Sequence, residues 1–419
     1  MADGATAMSD ARKTAYATPL ADINLTDIAL WRTDTAHPYF ERLRAEDPVH
    51  YHPEGQHRDG PYWSVTGFND IVTVDTNHEV FSSDPAITLD DPAEINLPMF
   101  IAMDPPKHDA QRKVVSPIVA PHNLQAMEPL IRGRIQKTLD ELPIGEPFDW
   151  VDKVSIELTG QMLATLFDFP FEDRRKLTYW SDVSVAEPPE GMAYEDYLPI
   201  FNEVMGECVA YFTRLWNERV NAPPRTDLIS MMAHGESTKD MSPEEFLGNL
   251  ILLIVGGNDT TRNTMSGSIF AMDRNPGERA KLDANPALIP SMVSETIRWQ
   301  TPLAYMRRTA TQDFELQGKT IRAGDKVAMW YLSGNRDETV IERPNDYWID
   351  RPSVRHHLSF GFGIHRCVGN RLAELQLKIL WEEILKRFPE INVVGEPARV
   401  PNSFIHGYAE MQVVIPRRL

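Results

Sequence analysis

The sequence predicts a mainly α-helical chain with small β-sheets at its edges. Three observations carry that expectation. From about residue 106 to 300, apolar residues recur three or four apart, as in Leu158, Met162, Leu163 and Leu166, which is the helical period. Ser242-Pro243-Glu244-Glu245 is a capping box with proline at the first helical position, and Pro276 closes the far end. One helix of roughly 33 residues, about 50 Å long, should therefore run through the chain. Elsewhere the period drops to two: residues 49–52 with 62–66, and later 314–316, 320–321 and 326–330 around turns at Gly318 and Gly324.

Taken in order, residues 1–22 are rich in Ala, Thr and Asp and lack the apolar run of a signal peptide, so a flexible tail is expected there. A short helix follows over 38–46, then the first hairpin. Pro and Gly punctuate the rest evenly and no repeat is present, so residues 23–419 read as one catalytic domain. With 419 residues, 42% hydrophobic and 25% charged, the chain can bury a sizeable core. Lys+Arg 42 against Asp+Glu 61 gives 42 − 61 = −19, which argues against nucleic acid or an anionic membrane as partner. Two cysteines imply no disulfide framework, and no run reaches about 20 apolar residues, so a cytoplasmic protein without a membrane-spanning segment is expected.

The middle of the long helix breaks the helical rules. Gly256-Gly257-Asn258-Asp259-Thr260-Thr261 places two glycines among poor helix formers, at about 1 kcal/mol per glycine. Leu253, Gly257 and Thr260 share a face by their i, i+4, i+7 spacing, so a flat ligand can approach the glycine gap with a hydroxyl beside it. Further on, Glu295 and Arg298 sit three apart on a helix that ends before Pro302.

A second unusual phrase is Phe360-Gly361-Phe362-Gly363-Ile364-His365-Arg366-Cys367-Val368-Gly369, just before a long amphipathic helix. A cysteine entering a helix meets unpaired N–H groups and the positive end of the dipole, which favour the thiolate. Gly361, Gly363 and Gly369 let the backbone turn tightly and lie close to a flat ligand. Cys208 is the only other cysteine, with no second ligand at finger spacing, so a zinc site is disfavoured.

The phrase resembles F-x-x-G-x-[H/R]-x-C-x-G, the haem-binding signature of the cytochromes P450, and the glycine hexad resembles that family's [A/G]-G-x-D-T-T. Glu295-Thr296-Ile297-Arg298 resembles its E-x-x-R, and the resemblance covers residues 30 to 419 with the motifs in family order. It implies a helical triangular domain with a smaller β-rich lobe. It also implies haem b with Cys367 as the axial thiolate, held by a loop that includes Phe360, Gly361, His365 and Gly369, with Gly256 beside the ring. Asp259 would relay protons and Thr260 would donate a hydrogen bond to dioxygen, the cosubstrate. Arg351 would join Glu295 and Arg298 in a structural ion network. His108, Arg112, His365 and Arg308 would face the two propionates, and nothing in the sequence except strand alternation separates Arg308 from the adjacent Arg307.

Phrases at 98–108 and 151–158 resemble the soluble bacterial alkane-hydroxylase branch, which oxidises terminal carbons of medium-chain alkanes and fatty acids. By family position the pocket would be lined by Ile95, Leu97, Met99, Phe100 and Ile101, by Leu252, Val255 and Gly256, by Leu303, Ala304, Tyr305 and Met306, and by Phe404 and Ile405. The chain has no Gly-rich flavin or nicotinamide segment of its own, so electrons are expected from NAD(P)H through an FAD-dependent reductase and a [2Fe-2S] ferredoxin. Hydroxylation of a terpene or other bulky apolar molecule, a peroxide-driven enzyme, and a haem-based sensor or carrier are the competing readings.

Overall fold

The longest helix, Pro243–Arg274, is the axis on which the rest is built. It starts where the capping box dictates: Ser242 Oγ accepts from the Glu245 N–H at 3.2 Å, and Pro243 occupies a position whose N–H would have no helical partner. The computed structural model describes residues 2–91, 97–189 and 191–419. Across them this helix is buried over most of its length, packed against the helices Glu157–Phe167, Arg174–Val185 and Ile289–Gln300. Asn370–Leu385 packs in turn on Ile289–Gln300 and Pro121–Asp140. Their apolar faces meet in the largest core cluster, which runs from Phe100 through Leu163 and Ile254 to Trp381 and Phe388. Each fully buried side chain of that size contributes about 1.5–3 kcal/mol, which offsets the weak propensity of the glycine segment.

The β-rich lobe is a five-stranded sheet ordered Val49–His52, Tyr62–Val65, Lys326–Met329, Met306–Ala310, Phe81–Ser82. Tyr62–Val65 runs parallel to Lys326–Met329, with Trp63 opposite Val327, and the other pairs are antiparallel. In the register of its central pair, Arg307 lies opposite Ala328 and Arg308 opposite Val327, so the two arginines leave the strand on opposite faces. Three small sheets sit elsewhere, at Phe314–Leu316 with Lys319–Ile321, at Pro147–Asp149 with Gln412–Val414 and Asn392–Val393, and at Ala398–Arg399 with Tyr408–Glu410. This mainly helical architecture is the one expected.

Where a flexible tail was expected, residues 1–22 include the helix Ala2–Ala17 and a helical turn at Leu20–Asp22. The helix docks on His37–Glu46. Ala15 is fully buried, Arg12 pairs with Glu41 at 2.5 Å, and Arg42 donates to the Ala15 carbonyl at 2.6 Å and to that of Thr18. The composition conceals this contact because it is made by small residues and polar ends, with no apolar stripe to mark it.

Candidate active site

The cysteine loop is shaped by its glycines and fastened by one acid. Gly361 and Gly363 both have φ +65°, a conformation that side chains resist. A Cβ at Gly363 would come 2.7 Å from the Asp75 carbonyl oxygen. Asp75, at the end of the helix Phe68–Thr76, accepts from the Phe362 N–H at 2.7 Å, from Tyr331 at 3.1 Å and from Arg308 Nη2 at 2.8 Å. Sequence reasoning missed Asp75 and Tyr331. Their partners lie more than two hundred residues away, and neither belongs to a motif. Gly369 differs from the other two: its φ is −89° and the space where a Cβ would stand is open, so close approach to the cavity, and no turn, accounts for it.

Cys367 closes the loop by donating its N–H to the Phe360 carbonyl at 2.8 Å, and its accessible surface faces a cavity of about 460 Å³. Burial pushes its thiol above the ordinary range. The N–H groups of Gly369 and Asn370 and the guanidinium of Arg112 act the other way, as a helix entry should. The groups that favour a thiolate are thus gathered at the sulfur.

Across the cavity stands the glycine segment of the central helix. Gly256, Gly257, Thr260 and Leu253 all line the cavity, as their spacing predicts. The two glycines have different neighbours. A Cβ at Gly256 would meet nothing within 4 Å, whereas one at Gly257 would come 2.8 Å from Leu163 Cδ2. Thr260 Oγ1 donates to the Gly256 carbonyl at 2.9 Å, one turn back along the helix. Asp259, about 100° further round the helix, does not line the cavity. It is fully buried, accepts from Ser181 Oγ at 2.5 Å and pairs with Arg262 at 2.6 Å; Arg262 also pairs with Asp182 at 2.6 Å, whose side chain is 45% exposed. Burial raises the Asp259 carboxyl above its usual value, and Arg262 pulls against that shift.

At one edge of the cavity the polar groups lack partners. His365 is buried with neither ring nitrogen hydrogen-bonded, and His108 Nε2 is likewise unpartnered. The two rings lie 4.2 Å apart; His365 lines the cavity, and His108 stands one layer behind it. Arg112 and Arg308 line the same edge. Arg112 also donates to the Arg366 carbonyl. Arg307 points away, to Asp91 at 2.8 Å. Buried donors without partners are costly, and here they converge beside two guanidinium groups. The set matches two carboxylates on a flat ligand lying between Gly256 and Cys367, so the residues present fit a haem with its propionates at this edge.

Behind the loop, Glu295 is fully buried and bound by both arginines. Arg298 donates from Nε and Nη2 at 2.8 and 2.7 Å, and Arg351 from Nε and Nη2 at 3.0 and 3.1 Å. Spare donors of both guanidinium groups reach main-chain carbonyls at 343, 344 and 346. The network therefore ties the helix Ile289–Gln300 to the segment that leads into the cysteine loop.

The remaining cavity walls are apolar. Leu97, Met99, Phe100, Ile101, Leu252, Val255, Leu303, Met306 and Phe404 line it as expected. Ala304, Tyr305 and Ile405 do not: they are buried in the cluster around Trp31, Phe40 and Trp330, on the β-lobe side of the same segments. Ile95 lies outside the described residues. Ile87, Thr88, Ser184 and Val185 also line the cavity and belong to no motif, so nothing in the sequence marks them.

The family model described as Cytochrome P450 matches residues 144–398, more than half of the chain. A linalool 8-monooxygenase from Pseudomonas putida is 34% identical over 92% of this chain and 97% of its own length. A methyl-branched lipid omega-hydroxylase from Mycobacterium bovis is 31% identical over 94% and 95%. Among solved structures, cytochrome P450-153 from Novosphingobium aromaticivorans superposes with a TM-score of 0.87 at 48% identity, covering 93% of this chain and 98% of that one. The M. marinum CYP268A2 structure in complex with pseudoionone gives 0.88 at 34% identity, covering 95% and 99%. A cysteine loop and a glycine-gapped helix facing each other across an apolar cavity, on a chain with these relatives along nearly its whole length, make the protein a member of the cytochrome P450 family of haem-thiolate monooxygenases.

Proposed function

We propose that the protein hydroxylates the terminal carbon of medium-chain alkanes or fatty acids, giving primary alcohols. The apolar cavity between Thr260 and Cys367 carries this reading, since hydrophobic walls recognise a hydrocarbon by shape. The omega-hydroxylase named among the relatives supports attack at a chain end. Haem, when bound, supplies the reduction of dioxygen and the insertion of one of its oxygen atoms into a C–H bond. Cys367 is the thiolate that would hold its iron, Arg112, Arg308 and His365 would hold its propionates, and His108 would back His365 from one layer behind. Thr260 offers its hydroxyl at the oxygen-binding side, and Asp259 is the acid that connects that side, through Arg262 and Asp182, to solvent.

Terminal attack is a steric demand. A terminal C–H bond is stronger than the methylene bond beside it, so the cavity must admit the methyl group and hold the inner carbons away. Product analysis by gas chromatography with octane to dodecane, or acids of like length, tests this. Mainly primary alcohols are expected, with Leu252→Ala or Leu303→Ala raising the share of secondary alcohols; mainly subterminal alcohols from the unaltered enzyme reject the terminal assignment. The terpene reading is favoured by the linalool 8-monooxygenase at 34% identity, and the same assay run with linalool discriminates it.

The electron donor in this reading is a [2Fe-2S] ferredoxin with its FAD-dependent reductase, fed by NAD(P)H. In a chain of net charge −19, Arg366 and Arg371 are exposed cations in and just after the cysteine loop, and Lys113 is exposed on the helix Lys107–Val115, whose Arg112 bonds Arg366; an acidic ferredoxin would meet the shortest path to the iron there. Lys113→Glu with Arg366→Glu should slow reduction by the ferredoxin, and added salt should slow the unaltered protein in the same direction. A reduction rate indifferent to both changes moves the donor to another face.

A further inference from the structure

Charge is unevenly distributed over the cavity walls. Among the described residues that line it, the cationic side chains are Arg112 and Arg308, both at the edge that suits the haem propionates. Burial pushes the pKa of His365, the imidazole at that edge, down to about 2. The acids that line the cavity are Asp90 and Asp91, which follow Ile87 and Thr88 in the chain, and residues 92–96 contain no Lys or Arg. For attack at a chain end the methyl group has to reach the Thr260 side, so a head group at the other end of the chain stands against the remaining walls. Two carboxylates wait there.

The cations nearest those acids are already bound. Asp91 accepts from Lys326 Nζ at 2.7 Å and from Arg307 Nη1 at 2.8 Å, and neither of these two residues lines the cavity itself. Burial disfavours the Asp91 carboxylate, but its two partners outweigh that and hold its pKa below the ordinary value. It stays charged. Asp90 pairs with Arg58 at 2.8 Å, and the same guanidinium faces Asp59 at 3.4 Å and Glu187 at 3.7 Å. His57 lies 3.5 Å from Asp90, and burial lowers its pKa, so it adds no dependable charge. Asp59, Asp90, Asp91 and Glu187 thus share Arg58, Arg307 and Lys326. A further carboxylate brought to this wall is repelled, and it leaves water without a cation to meet it.

We propose that Asp91, assisted by Asp90, is a specificity-determining residue that admits uncharged chains and rejects a fatty carboxylate of equal length, because it occupies the two cations, Lys326 and Arg307, that would otherwise receive the acid head. Discrimination of this kind is built by placing an unfavourable charge against the competitor. The inference rests on the reading of the cavity as the site of an apolar chain and selects, between alkane and fatty acid, the uncharged one. Arg307 also donates to the main-chain carbonyls of Thr88 and Asp90, both at 3.3 Å, and Lys326 to that of Asp59, so removing the Asp91 charge leaves the segment attached.

The test is a spin-state titration of the haem-loaded enzyme near pH 7.5 with decanoate and with methyl decanoate, which share length and carbonyl and differ in charge. Decanoate is expected to bind the unaltered enzyme about tenfold more weakly than the ester, and raising salt to about 0.5 M should narrow the gap. Asp91→Asn should tighten decanoate about tenfold and leave the ester within about twofold. Asp91→Glu, which keeps the charge, should keep the discrimination, and Asp90→Asn should weaken it by a smaller factor, since Arg58 still faces Asp59 and Glu187. The absorption of the reduced carbonyl complex verifies that each variant holds its haem. Equal affinity of the unaltered enzyme for decanoate and ester overturns the proposal, as does an Asp91→Asn variant that moves both ligands alike or neither. A preference for primary or secondary alcohols from decane tests the terminal assignment and leaves this affinity ratio where it is.

Discussion

Cys367→Ser, purified and reduced under carbon monoxide, is expected to lack the thiolate-type absorption of the carbonyl complex and to lose hydroxylation altogether. Cys208→Ser should keep both. The two cysteines differ in what surrounds them. Cys208 is fully buried in the largest core cluster, where burial drives its thiol pKa far up and it behaves as a small hydrophobe. Its replacement by serine costs stability, on the order of 1–3 kcal/mol for a hydroxyl without a partner, and should lower the melting temperature without touching the spectrum. Cys367 faces the cavity, with the N–H groups of Gly369 and Asn370 directed at the sulfur. Those donors and Arg112 stabilise negative charge there, and a serine hydroxyl, which ionises far less readily, cannot hold such charge. A Cys367→Ser protein that keeps the thiolate-type absorption would remove this residue from the ligand position.

The parts of this site that were legible in the sequence are those whose partners lie close in the chain. The cysteine phrase carries its glycines within a few residues, and the structure gives Gly361 and Gly363 the positive φ that such spacing requires. Glu295 and Arg298 are three apart on one helix and bind each other as that spacing allows. Arg351 was reachable only through the family resemblance, in which an arginine from the segment before the loop joins the ion pair. Asp75 was not reachable. It is one acid on a short helix, and its role in fastening Phe362, Tyr331 and Arg308 exists only once the sheet brings distant segments together. The choice between Arg307 and Arg308 had the same character: alternation separates them, but only the register against Lys326–Met329 says which one faces the cavity. Ala304 and Ile405 show the cost of assigning pocket residues in runs, because neighbours along an extended segment point to different cores.

Adjacent residues on the central helix divide in the same way, and the division bears on proton delivery. Thr260 lines the cavity with its hydroxyl bonded to the Gly256 carbonyl, while Asp259 lies off the cavity, held by Ser181 and Arg262. Thr260→Ala removes the hydroxyl that bonds the Gly256 carbonyl, but it leaves the apolar walls and the cysteine loop untouched. Substrate binding and electron uptake should therefore survive, and the loss should appear as uncoupling. The expected result is a drop of about tenfold in alcohol formed per NAD(P)H consumed, with hydrogen peroxide released in its place, since a single positioned proton donor contributes on the order of 10²–10⁴ to its step. Asp259→Asn should act differently. It leaves Thr260 in place but breaks the acid that joins Arg262 and Asp182 to the interior, so turnover should slow while the coupling ratio changes less. Burial raises the proton affinity of the Asp259 carboxyl, and its pairing with Arg262 opposes that shift. Arg262→Lys, which keeps the charge but loses the fork that reaches both acids, should slow turnover by the same route and leave coupling intact. Unchanged alcohol yield per NAD(P)H in Thr260→Ala would take the hydroxyl out of the mechanism; a coupling loss in Asp259→Asn as deep as that in Thr260→Ala would mean that the two residues act as one donor.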